Sequence, residues 1–328
     1  MELRSGSPLR GEDREQLKEF LRENGLGYDE RIGFSVCVME GEVIAAAGSL
    51  DGRVLKCIAV SPAFQSEGLA AIIVTELIKE AGRQGIFHLF LFTKPENEER
   101  FGNLGFYAIE KTDSVLLMEN RRNGISCFVA ELSRPPVDAD PVGAVLVNGN
   151  PFTRGHQYLI ETAAAGCEAL HVFVVSENLS FFPADLRYEL VLKGIAHIPR
   201  VYLHPTGPYL ISAQTFPDYF FRDSVSPLDL NMELDIRIFA KHFALPLGIS
   251  RRFVGTEPRD IVTAAYNRAM AALLPCFGIE LVEIPRLEIG GEPVSASRVR
   301  ELLKAGDLER IRELAPPATF EYLKSLGT

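Results

Sequence analysis

The sequence predicts two α/β domains in series, an α+β domain followed by a doubly wound parallel sheet, and three observations carry that expectation. The chain has 328 residues, about twice the ~150 residues of an ordinary domain. The stretch Ser133-Arg134-Pro135-Pro136-Val137-Asp138-Ala139-Asp140-Pro141 holds three prolines and two aspartates, so it can continue neither a helix nor a central strand. Across that seam the patterning changes from a meander of short strands to a regular alternation of apolar strands and helices. The expected organisation is a first domain over residues 1–133, a linker over 134–141 and a second domain over 142–328.

In the first part, amphipathic spacing predicts a helix over Asp13–Arg22. Strands over Phe34–Met39 and Val43–Ser49 flank Glu40-Gly41-Glu42, the composition of a hairpin turn. Val54–Val60 gives a third strand. Gly68–Arg83 has Leu69, Ile72, Ile73 and Leu77 at helical spacing, and Ile86–Thr93 is a further strand. In the second part, strands are expected over Val142–Val147, Leu170–Ser176, Val201–His204 and Phe253–Gly255. Helices are expected over Gln157–Ala165, Leu186–Ala196, Leu230–Phe243 and Val299–Lys304. Ligands of such sheets sit outside the carboxyl ends of the strands, which directs attention to the loops after Val147 and Val254.

Composition narrows the function. Apolar residues make up 47% and charged residues 24%, ordinary globular values that exclude wholesale disorder. No apolar run approaches the ~18 residues of a membrane span, and the first twenty residues are too charged for a signal peptide. A net charge of −10 argues against nucleic acid or an anionic membrane as partner. The five cysteines are scattered, with no CxxC and no nearby histidine. This is neither a disulfide framework nor a metal site, and reduced thiols in a cytoplasmic protein are expected.

The most informative residues are Asn148-Gly149-Asn150-Pro151-Phe152-Thr153-Arg154-Gly155-His156, which leave the first strand of the second domain and open a helix. Unpaired backbone N–H groups and the positive dipole end make a helix start a natural phosphate site. Gly155 would let phosphate oxygens approach the backbone and His156 would project a donor toward them. The alternative is a βα turn in which His156 only caps or packs. Far along the chain, Val294-Ser295-Ala296-Ser297-Arg298-Val299-Arg300 offers a second helix start, with Ser295 and Ser297 as N-terminal residues and Arg300 as a cationic fork. Its alternative is a plain cap with a solvated arginine.

Thr153-x-Gly155-His156 resembles the (H/T)xGH signature of the nucleotidyltransferase superfamily, and the Ser295–Arg300 block is similar to that superfamily's ISSTxxR motif. The fuller wording resembles the citrate lyase ligase family. It is carried by Asn148-x-Asn150-Pro151-Phe152-Thr153-x-Gly155-His156-x-Tyr158-Leu159-Ile160, by Val254-Gly255-Thr256-Glu257-Pro258 with Tyr266-Asn267, and by Arg300 followed by Glu301-Leu302-Leu303.

That resemblance implies an ATP-dependent, AMP-forming ligase using Mg²⁺. It would activate acetate as acetyl-adenylate and acetylate the thiol of the coenzyme A-like prosthetic group on the citrate lyase acyl-carrier subunit. It implies catalytic roles for Thr153, His156 and Arg300, and ATP contacts from Asn148, Asn150, Pro151, Phe152, Gly155, Gly255, Glu257, Ser295 and Ser297. Arg187 and Lys193 are candidate further phosphate contacts, with a solvated helix face as the alternative. Glu257 either contacts the nucleotide or fixes its turn. The rival activity is a nucleotidyltransferase that adenylylates a phosphorylated small molecule such as phosphopantetheine.

In the first domain, Val60-Ser61-Pro62-Ala63-Phe64-Gln65-Ser66-Glu67-Gly68-Leu69-Ala70 resembles the (Q/R)xxGx(G/A) loop of the GNAT acetyltransferases. Phe101-Gly102-Asn103-Leu104-Gly105-Phe106 resembles their later aromatic-glycine block. The resemblance implies a GNAT-like fold, in which Gln65, Gly68 and Ala70 would hold a coenzyme A-like arm. Phe101 stands where active members often carry a tyrosine, and Glu67 places a negative charge in the loop. His88 is expected to be a packed residue rather than a base.

Overall fold

The computed structural model describes residues 1–65, 67–177, 180–210, 227–257 and 260–326. Ser66 and Pro258, which belong to the motifs above, lie outside the described residues. The chain divides into two compact units, one of Met1–Ile125 with Ala213–Leu234 and one of Ser126–Ser212 with Asp235–Thr328.

The first unit is built on a seven-stranded mixed sheet in the order β1-β2-β3-β4-β5-β7-β6. Its strands are β1 (Glu2–Gly6), β2 (Phe34–Glu40), β3 (Val43–Asp51), β4 (Val54–Val60), β5 (Phe90–Thr93), β6 (Tyr107–Lys111) and β7 (Leu116–Glu119). Helix α1 (Gly11–Glu23) covers one face with Leu17, Phe20 and Leu21, and α2 (Leu69–Arg83) the other with Leu69, Ile73, Val74, Leu77 and Ala81. Ile72 faces solvent, because one helical position turns the side chain by about 100° off the stripe. Gly48 on β3 lets α2 lie close, since a Cβ there would stand 2.4 Å from Ile73 Cγ2. Short α3 (Glu98–Gly102) buries Phe101 in the same core.

Three features of this unit depart from the sequence expectation. β1 is an edge strand whose polar, mostly exposed residues leave no apolar pattern, although it pairs with β2 along its length. Ile86–Leu89 are not strand: Ile86 N–H bonds back to Ala81 C=O, closing α2 beyond the left-handed Gly85, and pairing begins at Phe90. β6 and β7, not read from the sequence, complete the sheet. β4 pairs with β5 only at Val54 and Leu55, and Cys57 has φ 54° where the β3–β4 register shifts. This bulge lies just before the loop that opens α2.

The second unit starts inside α4 (Gly124–Ala130), upstream of the proline-rich seam. Phe128 explains the earlier start: its ring packs against Gly207, Tyr209 and Phe243, all in the second unit. The strands β8 (Val142–Val147), β9 (Ala169–Val174), β10 (Val201–Pro205), β11 (Ile249–Gly255) and β12 (Glu280–Ile284) form an all-parallel sheet in the order β10-β9-β8-β11-β12. In sequence rank that is 3-2-1-4-5, so the order reverses between β8 and β11 and a ligand crevice opens at their carboxyl ends.

α5 (Arg154–Ala165) and α6 (Ala184–Ile195) pack on the face that carries Val145, Val147 and Phe253. Further along come α7 (Pro227–Ile238), which belongs to this unit only from Asp235 on, a π-helical turn over Phe239–Ala244, α8 (Leu245–Leu247) and α9 (Ile261–Leu273). The hairpin β13 (Glu288–Ile289) and β14 (Glu292–Pro293) leads into α10 (Ala296–Ala305), α11 (Leu308–Leu314) and α12 (Pro317–Ser325). The last three bury Val299, Leu302, Ile311, Phe320 and Leu323 with Phe182. Among the described residues no helix is long and apolar enough to cross a membrane.

On the opposite face of this sheet His171 and His204 are buried in contact, Nδ1 to Nε2 2.9 Å apart, beside Phe173. Burial, the neighbouring His204 and the charge of Arg134 push His171 down to about 3, and burial pushes His204 down to about 4. Both are neutral in the fold, while in the unfolded chain they protonate near 6.5. Their contribution is therefore complete above pH 6.5 and is lost as pH falls toward 4, by up to about 1.4 kcal/mol per pH unit for each histidine. Urea midpoints at pH 7, 6 and 5 should fall progressively. Equal midpoints at pH 7 and 5 would contradict the assignment.

Candidate functional site

β8 ends at Val147 and the chain turns through Asn148–Phe152 into α5. Gly149 takes φ 60° and the Asn150–Pro151 peptide is cis. Phe152 anchors the loop: it is fully buried, and a Cβ on Gly194 of α6 would stand 2.3 Å from its ring. Its other side stacks on the His156 ring, centroids 5.7 Å apart.

Thr153 caps α5, its Oγ1 accepting from His156 N–H at 3.4 Å. His156 returns the bond, with Nδ1 accepting from Thr153 N–H at 3.1 Å and lying 2.9 Å from Thr153 Oγ1. The two readings open at the sequence level, cap or phosphate donor, are thus compatible. Because Nδ1 accepts a backbone hydrogen, the neutral ring carries its proton on Nε2, the atom the cap does not use. Burial and the charge of Arg286 push His156 down to about 4, so at neutral pH it is a neutral Nε2–H donor and not an imidazolium.

The second helix start stands against the first. Ser295 caps α10 by accepting from Arg298 N–H at 3.2 Å. Arg300, one turn in, donates Nη2 to Ser297 Oγ at 2.9 Å and Nη1 to the Asn150 carbonyl. It ties the two motifs together rather than lying solvated. Gly155 serves the same junction: a Cβ there would stand 3.0 Å from the Val294 carbonyl oxygen.

The third wall is the end of β11. The Gly255 carbonyl accepts from Asn267 Nδ2 at 3.0 Å. Glu257 fixes its turn, with Oε1 accepting from Asp260 N–H at 3.1 Å and Oε2 paired with Arg286. Arg286 also donates Nε to the Thr256 carbonyl at 2.8 Å. Sequence reasoning missed Arg286; it lies just past the carboxyl end of β12, the position that points to a ligand once that strand is recognised. An open groove of about 920 Å³ runs from Thr256 and Glu257 along α9, past Ala264 and Asn267.

Arg187, read as either a phosphate contact or part of a solvated helix face, is fully buried and directed at protein oxygens. Nε donates to Phe182 C=O at 3.0 Å, Nη1 to Asn148 C=O at 2.8 Å and to its Oδ1 at 2.6 Å, and Nη2 to Glu177 C=O. Asn150 Oδ1 accepts from Phe182 N–H at 3.0 Å, completing the brace. Lys193 pairs with Glu189 at 2.6 Å on an exposed helix face, the solvated alternative. In the first unit, Gly68 precedes α2 with φ 70°, Gln65 is exposed in the loop and Ala70 sits half-buried in the first turn. His88 is half-buried, with Nε2 2.6 Å from Glu119.

Two capped helix starts, a neutral imidazole donor and two arginines converge at the switch point of a parallel α/β sheet, which places the chain in the doubly wound α/β class and makes this crevice its candidate anion site. Comparison with known proteins narrows the class. The family model described as "Citrate lyase ligase C-terminal domain" matches residues 142–323, and that of the "Acetyltransferase (GNAT) family" matches residues 2–108. Over 317 residues the chain is 41% identical to the [citrate [pro-3S]-lyase] ligase of Escherichia coli, covering 95% of this chain and 90% of that one. It is 40% identical over 319 residues to the Klebsiella pneumoniae protein of the same name (96% and 93%), and 36% identical over 318 residues to that of Haemophilus influenzae (95% and 95%). The chain belongs to the citrate lyase ligase family of enzymes.

Proposed function

We propose that this enzyme activates acetate with ATP and transfers the acetyl group to the prosthetic-group thiol of the citrate lyase acyl carrier. An acetate oxygen attacks the α-phosphorus of ATP, the new P–O bond forming as the α,β-bridging P–O bond breaks and pyrophosphate leaves. The carrier sulfur then attacks the acyl carbon, the C–O bond to AMP breaks, and the thiol proton passes to solvent. The single observation that supports this most strongly is the joining of the two helix starts by Arg300 beside the neutral His156 donor. That constellation presents fixed hydrogen-bond donors to the charge that builds on phosphate oxygens.

His156 Nε2–H, the first amides of α5 and α10, and Arg300 would hold the triphosphate, with Asn148, Asn150, Pro151, Phe152 and Gly155 shaping its cradle and Ser295 and Ser297 its far wall. Gly255 and Glu257 would border the nucleoside. Mg²⁺ would enter as the counter-ion of the ATP phosphates. The five free cysteines accord with a reducing, cytoplasmic setting.

The loop Gln65–Ala70 of the first unit would hold the carrier's coenzyme A-like arm through the amides at the start of α2. One experiment tests both parts. Exchange of labelled pyrophosphate into ATP should require acetate. The Ala70→Glu variant should keep that exchange while the KM for carrier rises ~10-fold or more, the order of one lost charge-assisted contact. Exchange supported only by phosphopantetheine would replace the ligase reading with a nucleotidyltransferase, and an unchanged carrier KM would remove the arm-binding role.

A further inference from the structure

Arg252, in the middle of β11, is 4% exposed and lies on the sheet face opposite Phe253. Its guanidinium carbon stands 4.7 Å from the centre of the Phe239 ring, and the charge of Asp235 is nearby. Among the described residues its Nε and Nη1 hydrogens meet no acceptor. Asp235, 2% exposed, accepts from the Tyr266 hydroxyl. A buried guanidinium with unused donors is costly unless something planar and anionic completes it, and a carboxylate matches that fork.

Arg252 lines a small chamber whose apolar wall includes Leu146, Leu210, Phe239 and Met270. Its free volume is about 10 Å³, room for about one water. Its position matters. Leu146 is the penultimate residue of β8, and Tyr266 adjoins Asn267, which bonds the Gly255 carbonyl at the end of β11. The chamber therefore lies beneath the crevice where the two strands part.

We propose that this chamber is the binding site of a small monocarboxylate, with Arg252 gripping the carboxylate and the Leu146–Met270 wall taking its methyl group. The proposal rests on the acetate-activating reading and supplies its carboxylate pocket. Asp235 keeps Arg252 charged in its buried setting, and Tyr266 engages Asp235 so that the guanidinium's remaining donors are left for the ligand. Acetate enters by displacing the water-sized volume and shifting the unbranched Met270 side chain, which adjusts readily. A longer acid must displace far more, and one methylene in such a pocket is worth ~10–200-fold.

The test uses the full-length protein. Arg252→Met should raise the acetate KM in pyrophosphate exchange ~10-fold or more while ATP still stabilises the protein thermally as in the wild type. Met270→Ala should move the propionate-to-acetate kcat/KM ratio ~10-fold or more toward propionate. An Arg252→Met protein that binds ATP and keeps its acetate KM overturns the proposal. If that variant does not fold, an unchanged acid preference in Met270→Ala overturns it. Saturation-transfer NMR of acetate separates the two readings. Wild-type binding that Met270→Ala alters upholds the chamber even if no exchange occurs, whereas wild-type exchange with no effect of either variant rejects the chamber and leaves the reaction standing.

Discussion

Replacing His156 with alanine is expected to lower acetate-dependent adenylate formation by at least ~10²-fold, the scale of removing one fixed donor from a developing oxyanion. The side chain has two separable jobs. Nδ1 closes the cap with Thr153, and Nε2–H is the donor proposed for the ATP phosphates. His156→Ala removes both and should also cost about 1 kcal/mol of stability through the lost cap. His156→Asn keeps a short side-chain acceptor for Thr153 N–H but cannot reach where Nε2 stands. It should recover stability and leave the rate low. A fast His156→Asn enzyme would reduce the histidine to a cap, and wild-type turnover in a folded His156→Ala protein would rule out the catalytic role.

Arg187→Met carries the second large effect, this time on stability and loop order. The guanidinium serves carbonyls on three separate segments, at Asn148, Glu177 and Phe182. Methionine fills similar volume but leaves those buried acceptors unpaired, at ~1–3 kcal/mol for each group left unsatisfied. A loss of roughly 3–5 kcal/mol is expected in urea unfolding, with a higher KM for ATP because the Asn148–Phe152 loop is no longer braced. Lysine, a single point charge without the planar fork, should not restore it. Wild-type stability in Arg187→Met would show that the brace is dispensable.

Much of the site was legible from residue order alone. The Thr153–His156 and Ser295–Arg300 blocks follow helix-start rules that depend only on local chemistry, and helices do open there, about one turn earlier than the expected Gln157 and Val299, with Thr153 and Ser295 as caps. Gly155 stands out in the sequence as a place for close approach, and the structure puts a protein carbonyl close to it. The Val294 carbonyl that crowds it comes from a distant part of the chain. Arg187 illustrates a similar limit. A cation on a helix beside a phosphate loop has the same sequence signature whether it faces the ligand or the protein, and only the burial of its fork distinguishes the two.

The strands show the same division. β8 and β9 are nearly continuous apolar runs because both faces of a parallel sheet are covered, and that pattern is visible in one dimension. β1 and β12 lie at sheet edges and carry alternating or charged residues, so their identity comes from the neighbour they pair with. Missing β12 also concealed Arg286. The boundary between units behaves likewise: prolines mark a stretch that cannot join either core, while the Phe128 ring, packed on Tyr209 and Phe243, decides which core the preceding helix serves.

By itself, then, the sequence determined the two-part α/β architecture and the helix starts after β8 and at the Ser295–Arg300 block, because periodicity and helix-start chemistry act over a few residues. Tertiary structure decided which groups meet there. Arg300 bridging to Asn150, Arg187 bracing three segments, the charge of Arg286 acting on His156 and the buried Arg252 chamber all join residues far apart in the chain. Contacts of that kind are set by sheet order and helix packing, which no local pattern specifies.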